Sequence, residues 1–202
     1  MAKNRSEACP AEDVDVAIGQ RLRELRRARG ISLDALSART GLSIGFLSQI
    51  ERGLSSPSLR VLAGVSDVLG VALSELFAPA SRAPAGDDIV VRREGRSALQ
   101  LWRSGISKQL LTPAAGESAL ALFLVHLDPG ASSGAEAYVH AGEEAGLVLS
   151  GQIMLTVEDR TWRLVEGDSF RFPSRKRHRF WNAHATEAAT VIWVNVAAIE
   201  KR

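Results

Sequence analysis

The stretch TGLSIGFLSQIERG, Thr40–Gly53, decides the fold of the first part of the chain. Gly41 stands where a helix can end sharply, and Ser43 can accept backbone N–H bonds as the N-cap of the next helix. Leu47 and Ile50, three residues apart, predict that this helix has a small apolar face that packs against the core. The face that remains consists of Ser43, Ile44, Ser48, Gln49 and Arg52. Because glutamine pairs with adenine and arginine with guanine in a major groove, this pattern predicts the recognition helix of a helix-turn-helix.

Short helices are predicted on both sides of this stretch. Apolar residues at helical spacing predict an amphipathic helix over residues 14–29. Ser32 caps a second helix, Ser58 caps a fourth, and the run ALSELF predicts a fifth. The first part of the chain is therefore expected to be a five-helix bundle over residues 14–77, after a flexible arm at residues 1–13.

The basic residues are concentrated in this part of the chain. The 202-residue protein has a formal charge of only +2, but residues 14–62 hold eight arginines and four acidic residues. Such a surplus around a recognition helix is the electrostatic footprint of contact with DNA phosphates. Taken alone, an ordinary solvated arginine face explains it better.

The sequence also indicates the compartment. Cys9 is the only cysteine, so no internal disulfide is possible and no CxxC metal knot exists. The first sixteen residues are polar and lack the apolar segment of a signal peptide. Since no run approaches the ~18 apolar residues of a membrane span, we expect a cytoplasmic protein without a membrane partner.

Arg26 and Glu51 form a candidate structural pair. Arg26 lies near the end of the first predicted helix and Glu51 near the end of the third. In a compact bundle the two side chains could meet and fix the angle of the recognition helix. Two separate surface charges, worth well under ~1 kcal/mol, fit the spacing about equally well.

Residues 18–77 resemble the helix-turn-helix domain of XRE and lambda-repressor-like regulators, most specifically in LSQIERG followed by PSL. The resemblance implies that Ser43, Ile44 and Gln49 face bases. It implies that four further residues lie near DNA phosphates or the backbone: Ser32, Arg52, Ser55 and Ser58. It also implies that the structural pair is formed, and it favours a repressor over an activator.

The pattern changes after the helical part. Residues 78–88, APASRAPAGDD, contain two prolines, one glycine and four alanines and predict a linker. Beyond it come eight short β-prone runs: ALQLW, ALALFLVHL, LVLSG, IMLTVED, TWRLVEG, FRFP, HRFWN and TVIWVNV. Many short strands without helices predict a sandwich or closed barrel over residues 89–202.

Two histidines and a glutamate form the candidate chemical site of this second part. Tyr138 and His140 are two residues apart and would share a face of one strand. Glu144 follows after a short turn, and His178 lies further along the chain. Two imidazoles and one carboxylate are the facial-triad ligands of Fe(II), and they also suit Mn, Ni or Zn. Ordinary polar strand residues and a surface glutamate would give the same pattern.

The segments YVHAGEEAGLVLSG and GDSFRFPSRKRHRFWN are similar to the two cupin motifs, and together they span residues 138–182. The resemblance implies a jelly-roll barrel with the two histidines and the glutamate at its metal position. Tyr138 stands where cupins with a full metal site usually carry histidine, and Arg175 replaces the usual glycine. Because a neutral phenol, with a pKa of about 10, is a poor metal ligand, a polar cluster that hydrogen-bonds an organic ligand is the alternative.

Inward-facing residues of the barrel are the candidate pocket walls. Those proposed are Phe123, Val125, Leu149, Met154, Phe172, Trp181 and Trp193. Trp181 and Tyr138 are the best candidates for ligand contact, since they lie near the polar motif residues. Basic residues between Arg171 and Arg179 could attract a carboxylate or phosphate, whereas acidic residues, among them Glu136, would suit an amine. The sequence leaves the charge of the ligand open.

Together these patterns predict a two-domain α+β protein that binds double-stranded operator DNA and is regulated by a small molecule in its barrel. We expect a homodimer formed through the barrel, because one helical domain offers few base contacts, and we do not expect an enzyme. Two alternatives remain. One is a cupin metalloenzyme that carries a DNA-binding module, and the other is a constitutive repressor whose barrel only dimerises.

Overall fold

The computed structural model describes residues 11–71, 73–77, 89–96, 98–101, 104–113 and 119–197. The predicted linker at 78–88, and residues 1–10 of the predicted arm, lie outside these ranges. Within them the chain has two parts, a helical part followed by a β-sheet part.

The described helical part contains four α-helices: α1 (Ala11–Ala28), α2 (Leu33–Thr40), α3 (Ile44–Glu51) and α4 (Leu59–Leu69). The prediction of a fifth α-helix is wrong, because Leu73–Phe77 form a 3-10 helix, which is a common form for short pieces of this length. Helix α1 begins inside the predicted arm, since alanine and glutamate extend a helix beyond its apolar pattern. None of these helices combines the length and apolar character that a membrane span requires.

Three serines begin the helices that follow α1. The side chains of Ser32, Ser43 and Ser58 accept hydrogen bonds from the backbone N–H three residues further on, at 3.0, 3.2 and 3.3 Å. An N-cap of this kind stabilises a helix by about 1 kcal/mol. Helix α2 ends at Gly41, whose φ of 72° lies in the left-handed region that favours glycine. The short connection from Gly41 to Ser43 makes α2 and α3 an angled pair.

Helix α1 crosses α3 at close range. A Cβ atom added to Gly19 would lie 2.1 Å from the carbonyl oxygen of Ile50, so this approach requires glycine. Leu22 of α1, Leu36 of α2 and Leu47 of α3 are fully buried. The core therefore fixes the position of α3 from behind.

Nine strands are described in the second part: β1 (Ala98–Leu101), β2 (Ile106–Leu110), β3 (Leu120–Leu127), β4 (Glu143–Ser150), β5 (Gln152–Val157), β6 (Arg160–Val165), β7 (Ser169–Pro173), β8 (His178–Trp181) and β9 (Ala189–Val196). They form a six-stranded sheet in the order β1-β2-β3-β9-β4-β7 and a three-stranded sheet in the order β6-β5-β8. All pairs are antiparallel. Strand β2 was absent from the predicted runs.

The two sheets enclose a shared interior. Phe180 of β8 and Trp193 of β9 meet with ring centroids 4.5 Å apart. Because strand side chains alternate between the two faces of a sheet, buried Glu144 on β4 and buried His178 on β8 also belong to this interior. The structure therefore joins polar residues from both sheets inside one apolar core.

The opposite side of the six-stranded sheet carries an apolar patch. The strand register places Leu122 opposite Val194, and both Leu124 and Leu147 opposite Ile192. Leu147 is 40% exposed and the other four are half-buried. We call these five residues the outer face.

Candidate functional sites: an exposed helix and a buried polar cluster

The surface of α3 carries the side chains that the sequence predicted for DNA contact. Ser43, Ile44 and Gln49 are exposed, Ser48 is half-buried, and Arg52 is exposed at the end of the helix. Ile44 is an apolar side chain with 44% of its surface exposed. Such a residue beside glutamine and serine suits the mixture of hydrogen-bonding groups and thymine methyl groups in a major groove.

A buried ion pair ties the end of α3 to α1. Arg26 and Glu51 are 8% and 6% exposed. Arg26 Nε donates to Glu51 Oε1 at 2.6 Å, and a second guanidinium nitrogen donates to Oε2 at 2.9 Å. The third nitrogen donates to the carbonyl oxygen of Ile31 at 2.7 Å. The hydrogen bond to Glu51 raises the pKa of Arg26 against the opposing effect of burial.

The remaining predicted DNA contacts surround α3. Ser32 and Ser58 are exposed at the N-termini of α2 and α4, and Ser55 is half-buried in the loop before α4. Exposed backbone N–H groups at helix N-termini attract phosphate. Ser58 also lines a cleft of about 380 Å³ between the helical part and the β-sheet part.

An ion pair joins the two parts beside this cleft. Arg60, in the first turn of α4, donates to the carboxylate of Glu136. Glu136 belongs to the loop that leads to Tyr138 and His140. Both members are more than half exposed, so the pair can break at little energetic cost.

His140, Glu144 and His178 converge in the interior of the β-sheet part. One candidate ligand atom from each residue lies within 4.8 Å of the other two. His140 Nε2 is 2.5 Å from Glu144 Oε1, and His178 Nε2 is 3.4 Å from the same oxygen. Trp193 Nε1 donates to the other carboxylate oxygen at 2.7 Å. The cluster therefore leaves one carboxylate oxygen facing two imidazole nitrogens.

Backbone carbonyls determine which imidazole nitrogens are available. His140 Nδ1 lies 3.1 Å from the oxygen of Ala141, and His178 Nδ1 lies 2.8 Å from that of Lys176. Because a carbonyl oxygen can only accept, each Nδ1 is the donor, and in a neutral ring Nε2 then carries a lone pair. His178 Nε2 is buried without a hydrogen-bond partner. A lone pair that faces a carboxylate requires a cation or a proton between them.

The electrostatics of the cluster agree with this requirement. Burial works to lower the pKa of His140, but its hydrogen bond to Glu144 and the charge of that carboxylate outweigh burial and raise the pKa. Burial works to raise the pKa of Glu144, but the imidazoles of His140 and His178 outweigh it and hold the pKa far below its usual range. The three residues form a candidate metal site that resembles the facial triad.

Tyr138, the fourth residue predicted for this site, lies against the cluster. Its ring centroid is 4.3 Å from that of His178, and the two backbones exchange hydrogen bonds of 2.9 and 3.0 Å. Burial, followed by the charge of Glu144, raises the pKa of Tyr138 well above its usual value. The phenol therefore stays neutral, and its ring packs against that of His178.

The predicted pocket walls divide into two groups. Phe172 is buried with its ring 4.9 Å from that of His178, and Phe123, Val125 and Trp193 are also buried.

Trp181 lies on the opposite face of β8 from His178, where the Arg179 guanidinium stacks on it at 4.6 Å. The structure does not bring Trp181 into the cluster, because residues three apart on a strand point to opposite faces. Leu149 is exposed, and Met154 is half-buried on the side of β5 away from the interior.

The charged residues considered for the pocket are mostly outside it. Arg171 is exposed and pairs with Glu143 at 2.9 Å, and residues 175–177 are exposed. Instead, the interior contains Lys108 of β2, which is 4% exposed. Lys108 was not among the residues predicted for the pocket. The alternation in ISKQL was the available signal, since it places lysine on the same face as Ile106 and Leu110.

Known proteins resemble both parts of the chain. The helix-turn-helix family matches residues 22–76, and the cupin-domain family matches residues 123–195. The chain is 31% identical to the HTH-type transcriptional regulator PuuR of Escherichia coli strain K12 over 173 aligned residues. The alignment covers 86% of this chain and 91% of that protein. The chain is 27% identical to the HTH-type transcriptional regulator SutR of the same strain, covering 80% and 84%. A crystal structure of an HTH_3 family transcriptional regulator from Vibrio cholerae aligns with a TM-score of 0.72 and 25% identity, over 94% of this chain and 99% of that one.

Proposed function

Because the chain belongs to the family of helix-turn-helix transcriptional regulators that carry a cupin domain, we propose that a small molecule bound in its cupin interior sets its affinity for operator DNA. The protein is a DNA-binding regulator, and regulation by a metabolite is the new element. The observation that carries the proposal is the buried cluster of His140, Glu144 and His178, in which one carboxylate oxygen faces two imidazole nitrogens and His178 Nε2 is buried without a hydrogen-bond partner.

In this proposal residues 14–77 read the operator. Gln49, Ser43 and Ile44 contact base edges from the exposed face of α3, while Arg52 and the serines at 32, 55 and 58 contact phosphates. The ion pair between Arg26 and Glu51 supports this role by holding the C-terminal end of α3 against α1. Repression is the expected mode of regulation.

Residues 89–202 form the sensing domain, joined to the operator-reading domain by the linker at 78–88. His140, Glu144 and His178 would hold a divalent ion such as Fe, Mn, Ni or Zn through two Nε2 atoms and one carboxylate oxygen. The ion would supply a positive charge and open coordination positions for an effector. Trp193 keeps the carboxylate oriented through its hydrogen bond to Glu144.

The loop over residues 131–140 offers a route from the cluster to the DNA-binding domain. Its C-terminal end carries His140 and Tyr138, whose backbone bonds to that of His178. Glu136, the partner of Arg60, lies two residues before Tyr138. A ligand that shifts His140 would move Glu136 and release or strengthen its pair with α4. Coupling free energies of ~1–3 kcal/mol are typical of allosteric regulators.

A second copy of the chain is the proposed occupant of the outer face. A helix-turn-helix protein normally reads two half-sites about one turn apart as a two-fold dimer. The outer face supplies contiguous apolar side chains, and the ion pair between Arg171 and Glu143 lies at its β7 side, as in an interface with a polar rim. Leu147→Arg should therefore yield monomers in sedimentation equilibrium. A dimer that survives this substitution would place the interface elsewhere.

The same cluster gives a specific reason to test a second function, a cupin metalloenzyme, because a facial triad also supports metal chemistry. The full-length protein, loaded separately with each of the four ions, is incubated with amino acids, amines and carboxylic acids. Melting temperature and product formation are measured together. A ligand that raises the melting temperature without turnover supports sensing, and turnover supports the enzyme. No thermal response to any compound would favour a barrel that only dimerises.

A further inference from the structure

Lys108 is a buried cation inside the cupin domain. It lies at the centre of β2, and its side chain shares the interior face with those of Ile106 and Leu110. Opposite it, Val125 of β3 is fully buried. Among the described residues, no carboxylate oxygen lies within 4.0 Å of Lys108 Nζ. Such a charge is costly to bury unless something in the interior balances it.

Three aromatic rings surround the ammonium group. Nζ lies 5.6 Å from the ring centroid of Phe123, 5.8 Å from that of Phe180 and 5.7 Å from that of Trp193. Ring faces attract a cation, but they offer no conventional acceptor for the three N–H donors of an ammonium group. The aromatic cage therefore holds Lys108 in the interior and leaves its hydrogen-bonding capacity for a ligand.

Glu144, the buried carboxylate in the same interior, is already engaged. One of its oxygens faces His140 and His178, and the other accepts from Trp193. Trp193 contacts both charges, because its N–H reaches Glu144 and its ring lies beside Lys108. A divalent ion at the His140–Glu144–His178 cluster would add two positive charges to that of Lys108, against one carboxylate. The loaded interior would be strongly positive.

We propose that Lys108 is the anion-binding group of the cupin interior and that the effector is a small organic metabolite carrying a carboxylate or phosphate group. This inference rests on the proposed sensing function of the same domain. The oxyanion pairs with Nζ, and the apolar body of the effector packs against Phe123, Phe180 and Trp193. An ion pair in this low-dielectric interior is stronger than one at the surface.

The protonation of Lys108 is compatible with this role. Burial lowers its pKa to about 8, while the charge of Glu144 acts in the opposite direction. The ammonium form therefore predominates at pH 7. The exposed basic residues near β8 do not provide the same environment, because they lie in solvent.

Isothermal titration on the full-length protein tests the proposal with matched probes. Propionate is compared with propylamine, benzoate with benzylamine, and inorganic phosphate is added as a minimal oxyanion. We expect oxyanions to bind and amines of the same shape to bind at least tenfold more weakly. Lys108→Met should weaken oxyanion binding at least tenfold and should raise the melting temperature of the free protein. Lys108→Arg should retain part of the binding, and Arg163→Met, at an exposed basic residue of β6, should retain all of it.

The outcomes separate this inference from the proposed function. Equal binding of oxyanions to the wild type and Lys108→Met would overturn the role of Lys108. Binding of amines but not oxyanions would overturn the ligand class and leave metabolite sensing intact. Absence of binding by every probe, with operator binding retained, would contradict the inference and would argue against sensing as well.

Discussion

The two domains each bury a cation, and they treat it differently. In the DNA-binding domain Arg26 is satisfied on all sides by Glu51 and the carbonyl oxygen of Ile31. In the cupin domain Lys108 is enclosed by aromatic rings without a carboxylate in direct contact among the described residues. A buried charge with a complete set of partners is part of the scaffold. A buried charge without one indicates a place where a ligand completes the structure.

The largest effect on stability is expected at the buried ion pair between Arg26 and Glu51. Glu51→Ala leaves the guanidinium of Arg26 buried and unpaired, which should reduce the free energy of unfolding by about 3–5 kcal/mol. Urea denaturation measures the loss, and operator binding should fall with it because α3 loses its anchor. Glu143→Ala is the matched control, since its partner Arg171 is exposed and the loss should stay below about 1 kcal/mol. Equal losses in the two variants would remove the distinction between the pairs.

Replacement of Lys108, in contrast, should stabilise the protein. Burial lowers the pKa of Lys108 from 10.5 to about 8, so the unfolded chain binds the proton more tightly than the folded one. Lys108→Met should therefore increase the free energy of unfolding at pH 7 by about 3 kcal/mol.

The stability difference between Lys108→Met and the wild type should depend on pH. It is complete below about pH 8 and shrinks as the pH rises toward 10.5, because the unfolded wild type then also loses its proton. Denaturation of both proteins at pH 7 and pH 10 measures this change. A destabilised Lys108→Met protein would mean that the lysine already has a strong partner.

Gln49→Ala should act on DNA binding without acting on the fold. Gln49 is exposed on α3, so the melting temperature should stay within about 1 °C of the wild type. Loss of a bidentate contact to adenine should weaken operator binding by about 1–3 kcal/mol. Footprinting and calorimetry on the same preparation check both statements. An unchanged footprint would exclude Gln49 from base contact.

The smallest effect is expected at the ion pair between the domains. Glu136→Gln removes an exposed charge pair with Arg60, so the free energy of unfolding should change by less than about 1 kcal/mol. The response of operator binding to a bound effector should nevertheless decrease, because the loop loses its contact with α4. A full response in Glu136→Gln would require another route between the domains.

The sequence was most informative where a local rule determines the structure. The serine caps, the glycine at the end of α2 and the apolar backs of the helices follow from spacing alone, and the resemblance to a helix-turn-helix regulator with a cupin domain is confirmed. The buried cluster was proposed from its cupin motif. The hydrogen bond from Trp193 to Glu144 was not predicted, because it depends on β4 and β9 meeting in three dimensions.

Three errors have different physical origins. Strand β2 was missed because a lysine occupies an inward position, and the sequence does not show that three distant aromatic rings enclose it. Trp181 was assigned to the pocket because it is close to His178 in sequence, whereas the two-residue period of a strand directs it outward. The fifth helix was predicted from composition, but five residues fold as a 3-10 helix.

We infer that the cupin interior controls the affinity of α3 for DNA, and operator binding tests this directly. An operator is first selected from random duplexes by the intact protein, and its affinity is then measured by fluorescence anisotropy with and without the tightest-binding small molecule from the screen. We expect a change of about 5- to 150-fold in the wild type and a loss of that response in His178→Ala. The control His126→Ala, at an exposed histidine of β3, should respond fully. An operator affinity that is the same with and without the ligand in the wild type would contradict the inference.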